Sequence, residues 1–493
     1  MSLRVANRSG RPDASSITNP GEGALSRTSK VTTASAWAIV SALGVLVIVY
    51  FGVVFPAVAV AVIGLMVAVL APMPTFVAST LWIIICRPGA ELMQATVGSI
   101  HLTEVDVLPV VSTVAAISLS RATGKRSVRL SEWLALLAWP LWFAVRFAMP
   151  PLGATDFGSP VVDARNATMY VVIVPIAIFV ARRGWRAGLS LLCYGGYIAC
   201  GIAIVAWATL ATGLSSPMMT AVVNSLALND VRPGGEILVV MLAVLLALGK
   251  APLIGGSRVV SLAIVAAELL ASQTLSMFIA IVVGITLAAA VQWSTLRLGQ
   301  RLIVAVLALL FLGLAVGGVA AGSRFDLLSR IDQASAQNRV NEFGLVTGVL
   351  FHDPLVASIG TGPGSLLHVD DLYSGLVDVK RDTHDSFANI AFKSGLLGLL
   401  LYLVPILMVF GRLVRTRRPY GRPLAATIAA VCALSVTVPF IWTASGFTAL
   451  ALLLVVGLAY LNSDEDTPGR DALSAAFHES SAMRRSPTSR KVR

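Results

Sequence analysis

The sequence is poor in charged residues and has few cysteines. Lys, Arg, Asp and Glu make up 13% of its 493 residues, whereas a soluble globular chain carries about 25%. This shortage, together with a mean hydropathy of +0.83, excludes a soluble enzyme. The cysteines form no CxxC or Cys/His pattern and are expected to be core residues rather than disulfides or metal ligands. They are Cys86, Cys193, Cys200 and Cys432.

Long hydrophobic runs occupy most of the chain. Runs of about 20 residues, each long enough to cross a membrane as a helix, recur from Ala36 to Leu461. The sequence therefore predicts an all-α, polytopic transmembrane helical bundle with about fourteen spans. These are placed at 36–52, 55–71, 75–87, 104–119, 131–149, 168–181, 187–209, 235–249, 257–271, 275–291, 301–320, 388–410, 423–441 and 444–461.

The spans divide the chain into five segments. Residues 1–35 and 462–493 are polar and basic, and are predicted to be disordered cytoplasmic tails. Membrane helices 1–11 are assigned to 36–320 and helices 12–14 to 388–461. The segment 321–387 between them is predicted to be one long extracytoplasmic loop, large enough to hold a small folded unit.

Arginine and lysine set the expected orientation. They cluster in short loops near 121–129, 182–186, 297–301 and 412–422, which all fall on one side of a bundle of fourteen spans. The positive-inside rule makes that side cytoplasmic and places 321–387 outside. The net charge of +12 is therefore attributed to topology, and no nucleic-acid partner is expected.

A short amphipathic helix and a glycine loop are expected within 321–387. In NEFGLVTGVLF the apolar residues Phe343, Val346 and Leu350 recur at helical spacing, which predicts a helix lying at the membrane surface. The following IGTGPGS marks a turn, with Gly360 and Gly362 as turn formers or as a backbone cradle for substrate.

The stretches NRVNEFGLVTGVLFHDPLVASIGTGPGSLLHV and RDTHDSFANIAFKSGLLGLLLYL carry a recognisable pattern. An arginine precedes the amphipathic helix, a Gly-x-Gly loop follows it, and a histidine opens the helix that leads into a glycine-rich span. This pattern resembles the O-antigen ligase and O-antigen polymerase family. The matching residues are Arg339, Pro354, Gly360, Gly362, His384, Gly395 and Gly398, and Arg232, which stands before an earlier span, is a further match.

The resemblance implies a glycosyltransferase of the bacterial cytoplasmic membrane with its active site on the periplasmic side. It would move a glycan from a polyprenyl-diphosphate carrier to an acceptor hydroxyl, without a cofactor or metal. Arg339 and Arg232 would stabilise the diphosphate leaving group, because a planar guanidinium holds phosphate oxygens in pairs. His384 would be the general base, since histidine titrates near neutral pH.

Further residues are assigned to substrate binding on the same basis. Asp382 or Asp385 would orient the ring of His384. Four external charges, Arg146, Asp156, Asp163 and Arg165, could line the glycan site, with Arg165 assigned to it, although a solvated loop is the simpler interpretation for all four. The family has Asn where this chain has Asp385. It also often has a Ser-Arg pair near the position of Ser272-Gln273-Thr274 here.

Two other interpretations compete with this one. His368, Asp370, Asp371, Asp382, His384 and Asp385 lie close together in sequence and are suitable metal ligands, although their spacing matches no known motif. A transporter or flippase of the same lipid-linked glycan is the alternative function, because Glu268 lies inside a predicted span and LALGKAPLIGG breaks another. Within the enzyme class, the alternatives differ only in the acceptor: lipid A core for a ligase, another lipid-linked glycan for a polymerase, and a protein Ser or Thr for an oligosaccharyltransferase relative.

The predicted orientation can be tested by cysteine labelling. In a cysteine-free background, a cysteine at Ser374 should react with a membrane-impermeant maleimide in intact cells, because it lies in the long external loop. A cysteine at Thr416, in an arginine-rich loop, should react only after the cells are opened. The reverse labelling pattern would overturn the orientation.

Overall fold

The fold comes from a computed structural model. It describes residues 56–85, 94–97, 100–119, 128–153, 156–158, 160, 163, 167, 169–212, 235–272, 275–292, 333–370, 377–438 and 440–463. The chain separates into two units, Met1–Met66 and Val67–Arg493. Only residues 56–66 of the first unit are described.

Helices make up most of the described chain. They are α1 (Pro56–Leu70), α2 (Pro72–Ile85), α3 (Glu104–Ser118), α4 (Leu130–Phe147), α5 (Ile173–Arg183), α6 (Trp185–Thr212), α7 (Glu236–Ala247), α8 (Arg258–Ser272), α9 (Leu275–Gln292), α10 (Gln333–His352), α11 (Pro354–Ile359), α12 (Ser386–Arg415), α13 (Gly421–Thr437) and α14 (Ala444–Asn462). Each predicted span that falls on described residues corresponds to a helix. The predicted spans 36–52 and 301–320, the tail 1–35 and residues 464–493 of the other tail lie outside the described residues.

Three of the described helices are long and apolar enough to cross a membrane. They are Trp185–Thr209, Ser386–Arg415 and Ala444–Asn462. Other apolar helices are shorter; Pro72–Ile85 has 14 residues and Glu236–Ala247 has 12. Hydropathy alone does not show where such a helix ends and a flanking apolar turn begins. The predicted spans are therefore more uniform in length than the observed helices.

Two short hairpins interrupt the predicted all-helical fold. β1 (Gln94–Val97) pairs with β2 (Ile100–Thr103), and β3 (Leu367–Asp370) pairs with β4 (Val377–Lys380), both antiparallel. In the second hairpin Leu367 lies opposite Lys380. Neither hairpin was expected, because strands of four residues carry too little alternation to be seen beside long apolar runs.

The packed centre is aromatic and surrounds α14. Every side chain from Ala444 to Tyr460 is buried. Trp139 of α4 lies against a group of rings from α4 itself, from α12 and α14, and from the turns before α5 and α14, with ring centroids 5.3–6.1 Å apart. This group contains Phe143, Tyr170, Tyr402, Trp442 and Phe447. Its edge and tilted contacts hold α4 and α12 side by side.

An ion-paired cluster closes one end of these helices, here called the Arg412 end. Arg412, in the last turn of α12, pairs with the buried Glu132 in the first turn of α4. Asn462 donates to the same carboxylate at 3.0 Å. Nearby, Arg418 donates to the carbonyls of Tyr460 and Ser463.

The opposite end of α4 and α12 is here called the Gly360 end. Arg146, in the last turn of α4, donates to the carbonyl oxygens of Ile359, Gly360 and Pro150. Its side chain is fully buried, and so is that of Asp163. The expectation that these two charges lie in a solvated loop is therefore wrong. Their burial is possible because each has polar partners inside the fold.

Helix α12 is broken at Gly395, near the Gly360 end. Gly395 has a φ of 74° and a ψ of 177°, so a first segment ends at Ser394 and a second begins after it. Trp142 Nε1 donates to the carbonyl of Ser394 at 2.9 Å. The backbone at Gly360, which has a φ of 77°, passes very close to this break. A Cβ added to Gly360 or to Gly395 would overlap the backbone of the other segment.

The loop after Gly360 caps the first segment of α12. The N–H and the hydroxyl of Thr361 both donate to the carbonyl of Phe392 at 2.8 Å. The N–H of Gly362 donates to the carbonyl of Lys393 at 3.1 Å. Carbonyls that a helix end leaves unpaired are thus bonded by a distant part of the chain.

Replacing Gly395 with alanine should destabilise the protein by roughly 2–4 kcal/mol, because a left-handed φ is unfavourable for alanine and its methyl group would overlap Ser358. The matched control is Gly411→Ala in the same helix, where the new methyl group meets open space and little change is expected. Unfolding of the purified full-length protein in detergent would measure both. Equal stability of the two variants would contradict the role of the break.

Candidate functional site

The predicted loop 321–387 is described from residue 333 onward, and it has a small hydrophobic core. Val346 and Leu350 of α10, Val356 of α11 and Leu367 of β3 are buried against Phe392 of α12. The region is therefore built onto the first segment of α12 rather than folded separately. Residues 321–332 lie outside the described part of the chain.

Helix α10 presents a different inner face from the one predicted. Val346 and Leu350 are buried as expected, but Phe343 is 54% exposed. The inner stripe continues instead to Glu342, which is only 2% exposed. Residues 342, 346 and 350 are spaced by four, so they lie on one side of a helix. The buried position nearest the start of this stripe is thus a carboxylate.

Glu342 binds three donors from the turn between β4 and α12. His384 Nδ1 lies 2.9 Å from both carboxylate oxygens, and the backbone N–H of His384 donates to Oε2 at 3.0 Å. Lys380 Nζ donates to Oε1 at 2.8 Å. Burial alone would raise the pKa of Glu342, but the hydrogen bonds from His384 and Lys380 lower it to about 2.

This arrangement fixes the tautomer of His384. Because Glu342 is ionised and can only accept, Nδ1 donates to it, and in the neutral form of the ring the lone pair therefore lies on Nε2. Nε2 makes no hydrogen bond to the described part of the chain, and the side chain is 45% exposed. The open nitrogen is suited to take a proton from a bound hydroxyl group.

The two aspartates expected to orient His384 are hydrogen-bonded to other groups. Asp385 accepts from the N–H groups of Phe387 and Ala388 and caps the start of α12. Asp382 accepts from Asn389 Nδ2 at 3.0 Å. The prediction that one of them orients the ring is therefore wrong, because Glu342 occupies Nδ1. Burial raises the pKa of Asp385 despite its capping bonds.

A buried ion pair lies beneath this turn. Lys393 Nζ is 2.9 Å from Asp163 Oδ2, and both side chains are fully buried. Lys393 also donates to the carbonyl of Ser365, and the N–H of Gly364 donates to Asp163. Burial and the charge of Asp163 raise the pKa of neighbouring Asp382, against the opposing charge of Lys393. The pair fastens α12 to the segment that contains Asp163.

Arg381 is the cation of this turn that has no hydrogen bond to another side chain or backbone group of the described residues. Lys380, Lys393 and Arg146 are all hydrogen-bonded to protein acceptors. The half-buried guanidinium of Arg381 makes no hydrogen bond to another described residue, and its Nε is buried. A Cβ on Gly158 would lie 3.2 Å from its Nη2, so glycine at this position leaves room for Arg381.

Several predicted site residues cannot be placed against this geometry or have other roles. Arg232 and Arg165 lie outside the described residues, and Arg339 lies in α10 with no described side chain. Gly360 and Gly362 use their N–H groups within the protein, bonded to the carbonyls of residues 356 and 393. They therefore pack the loop against α12, which corrects the expectation that they form a backbone cradle for substrate.

The possible metal cluster includes His368, which has a different partner in the fold. His368 Nε2 lies 3.0 Å from Asp156 Oδ2, an exposed carboxylate from the segment after α4. Within the described part of the chain, no group of three or more His, Cys, Asp or Glu side chains is placed to hold a metal ion. Asp371 lies outside it.

Sequence reasoning missed Glu342, Lys380, Arg381 and Lys393. A signal for Glu342 was present, since a carboxylate at the head of an apolar i, i+4, i+8 stripe must find a partner when the stripe is buried. Lys393 is similar: it is a lone cation between apolar residues at the start of α12. Their partners come from distant segments, which spacing does not reveal.

No protein-family model matches the chain, and no curated protein is significantly similar to it.

Glu342→Gln tests the carboxylate that holds His384. Because the folded pKa lies below the ordinary value of about 4.5, ionised Glu342 stabilises the fold above that pH, and this stabilisation is lost as the pH falls toward 2. At pH 7 we expect the free energy needed to open residues 377–385 to be about 1.5–3 kcal/mol lower in the variant than in the wild type, measured by hydrogen exchange. The difference from wild type should shrink below pH 4.5.

Asp156→Asn is the matched control, because it removes an exposed carboxylate that also contacts a histidine. We expect it to change the free energy of local opening, measured by hydrogen exchange, by less than about 0.5 kcal/mol. A pH-independent effect of Glu342→Gln would show that the charge of Glu342 is not what stabilises the segment.

Proposed function

We propose that the chain is a polytopic membrane glycosyltransferase that transfers a glycan from a polyprenyl-diphosphate carrier to an acceptor hydroxyl. The observation that carries this proposal is the pair formed by His384 and Glu342, with Nε2 of His384 open to solvent. The same histidine occupies the matching position in the O-antigen ligase and polymerase pattern. The acceptor is another glycan for a polymerase, or a lipid core for a ligase.

The distribution of apolar surface supports a membrane setting. Besides the three long apolar helices, α10 exposes Val340, Phe343 and Phe351, and α11 exposes Leu355. These side chains lie away from the buried stripe of α10, so the helix is apolar on two sides. Lipid at the membrane surface is the environment that suits such a face.

The position of the site supports an external active centre. His384 precedes α12 at the Gly360 end, whereas Arg412 and the arginine-rich turn after it lie at the other end of the same helix. With arginines on the cytoplasmic side, the site faces outward. We extend this orientation to the full bundle of about fourteen spans proposed from hydropathy.

The proposed reaction needs a base and an anion site. His384 Nε2 takes the proton of the acceptor hydroxyl as its oxygen bonds to the anomeric carbon of the donor glycan. The bond between that carbon and the phosphate oxygen breaks, and its electron pair stays on the diphosphate. Glu342 stabilises the imidazolium that forms, and the proton then leaves to solvent.

Arginines are proposed to hold the diphosphate. Arg381 lies three residues before His384 and its Nε has no partner among the described residues, so it joins Arg339 and Arg232 as a proposed ligand for the leaving group. Lys380 is not assigned this role because Glu342 binds it. No metal is needed in this scheme, since arginine charge compensates the leaving group.

A flippase or transporter of the same lipid-linked glycan is the second candidate. The observation that favours it is Glu268, a buried carboxylate in α8 at a distance in sequence from the proposed catalytic turn. A flippase would move the donor without requiring His384 as a base.

Transfer can be measured with the purified full-length protein in proteoliposomes supplied with a polyprenyl-diphosphate-linked glycan. His384→Ala should lower the rate by about 10²–10⁴ and leave donor binding measurable. Arg381→Gln should weaken donor binding, and Arg381→Lys should restore part of it, because an ammonium cannot make a two-pronged contact. Wild-type activity should persist in excess EDTA.

His352→Ala is the control, because His352 is an exposed histidine in the last turn of α10. It should transfer at the wild-type rate. Full transfer by His384→Ala would remove the proposed base. Loss in EDTA that Mg²⁺ or Mn²⁺ restores would replace the metal-free scheme, and glycan translocation without transfer would favour the flippase.

A further inference from the structure

Glu268 is a buried carboxylate with no role in the proposed reaction. It lies in α8 with no exposed surface, and neither of its oxygens has a partner within hydrogen-bonding distance in the described part of the chain. On α8 itself, the polar group that interacts with it is the hydroxyl of Ser272, four residues further along the helix. The neighbouring elements are α6 and α7, which pack against α8. The groups that face it from these helices are the thiol of Cys200 in α6 and the carboxylate of Glu236 in α7.

Three other buried carboxylates of the described chain each have a cation. Glu132 pairs with Arg412, Asp163 with Lys393, and Glu342 with Lys380. Glu268 has no such ion pair among the described residues, and its charged neighbour is a second carboxylate. An ionised Glu268 would therefore be an uncompensated buried charge beside a like charge, which costs several kcal/mol.

The two carboxylates differ in their surroundings. Glu236 is the first residue of α7, where the helix dipole favours an anion. Glu268 lies in the last turns of α8, where the dipole favours a cation instead. Of the two, Glu268 is the one that should carry a proton.

We propose that Glu268 is a proton-binding site inside the packed helices α6, α7 and α8, separate from the His384 site and independent of the proposed transfer reaction. The bound proton neutralises Glu268 and lets it lie beside Glu236. If the proton leaves, water or a cation must reach α8 to compensate the negative charge. The protonated state of Glu268 is therefore the one compatible with the packed helices.

Dicyclohexylcarbodiimide tests this site because it is apolar and reacts with protonated carboxyl groups. In the purified full-length protein at pH 7, mass spectrometry should find the adduct on Glu268. Glu132 is the matched control, since it is equally buried in a helix but paired with Arg412, and it should stay unlabelled. Labelling of Glu268 should fall as the pH is raised. In Glu236→Gln it should fall at lower pH, because the repelling charge is gone.

Infrared spectroscopy gives a second measurement that does not depend on reagent access. The band of a protonated carboxyl group should be present in the wild type at pH 7 and missing from Glu268→Gln. An identical band in both proteins would overturn the proposal. Protection of Glu268 from the carbodiimide by Na⁺ at constant pH would overturn it in favour of a metal-cation site.

Discussion

The break of α12 at Gly395 is the constraint on which the candidate site depends. A helix that stops in a protein interior leaves carbonyl groups that need donors, and here the loop after Gly360 and the indole of Trp142 supply them. That requirement draws the segment after α11 onto α12. The first segment of α12 then presents Asp385 as its cap, with His384 one residue before it.

Buried cations stabilise the same junction. Arg146 binds carbonyls of the Gly360 loop, and Lys393 binds Asp163 and the carbonyl of Ser365. Each cation keeps these protein partners, because a buried cation without them would be unfavourable. Neither is therefore free to bind a substrate anion. The cations nearest His384 therefore separate into structural ones and Arg381, whose Nε has no hydrogen-bond partner among the described residues.

The chemistry proposed for His384 follows from one hydrogen-bonding pattern. A carboxylate that is buried and ionised holds Nδ1 and leaves Nε2 as the acceptor. The same contact ties α10 to the turn before α12, so the orientation of the base and the packing of α10 depend on each other. Glu268 is the contrasting case, a buried carboxylate whose neighbour is another carboxylate instead of a cation.

The sequence by itself determined the helical class and the approximate helix positions, because hydropathy is a property of short stretches. The local motif likewise singled out His384 as the candidate base. Which residues surround His384 depended on tertiary structure. Glu342 reaches it from 42 residues away, and Lys393 reaches Asp163 across 230. Asp382 and Asp385 are nearer in sequence, but the geometry of the helix start gives them other partners. Contacts between distant segments are set by how helices pack, which spacing along the chain does not encode.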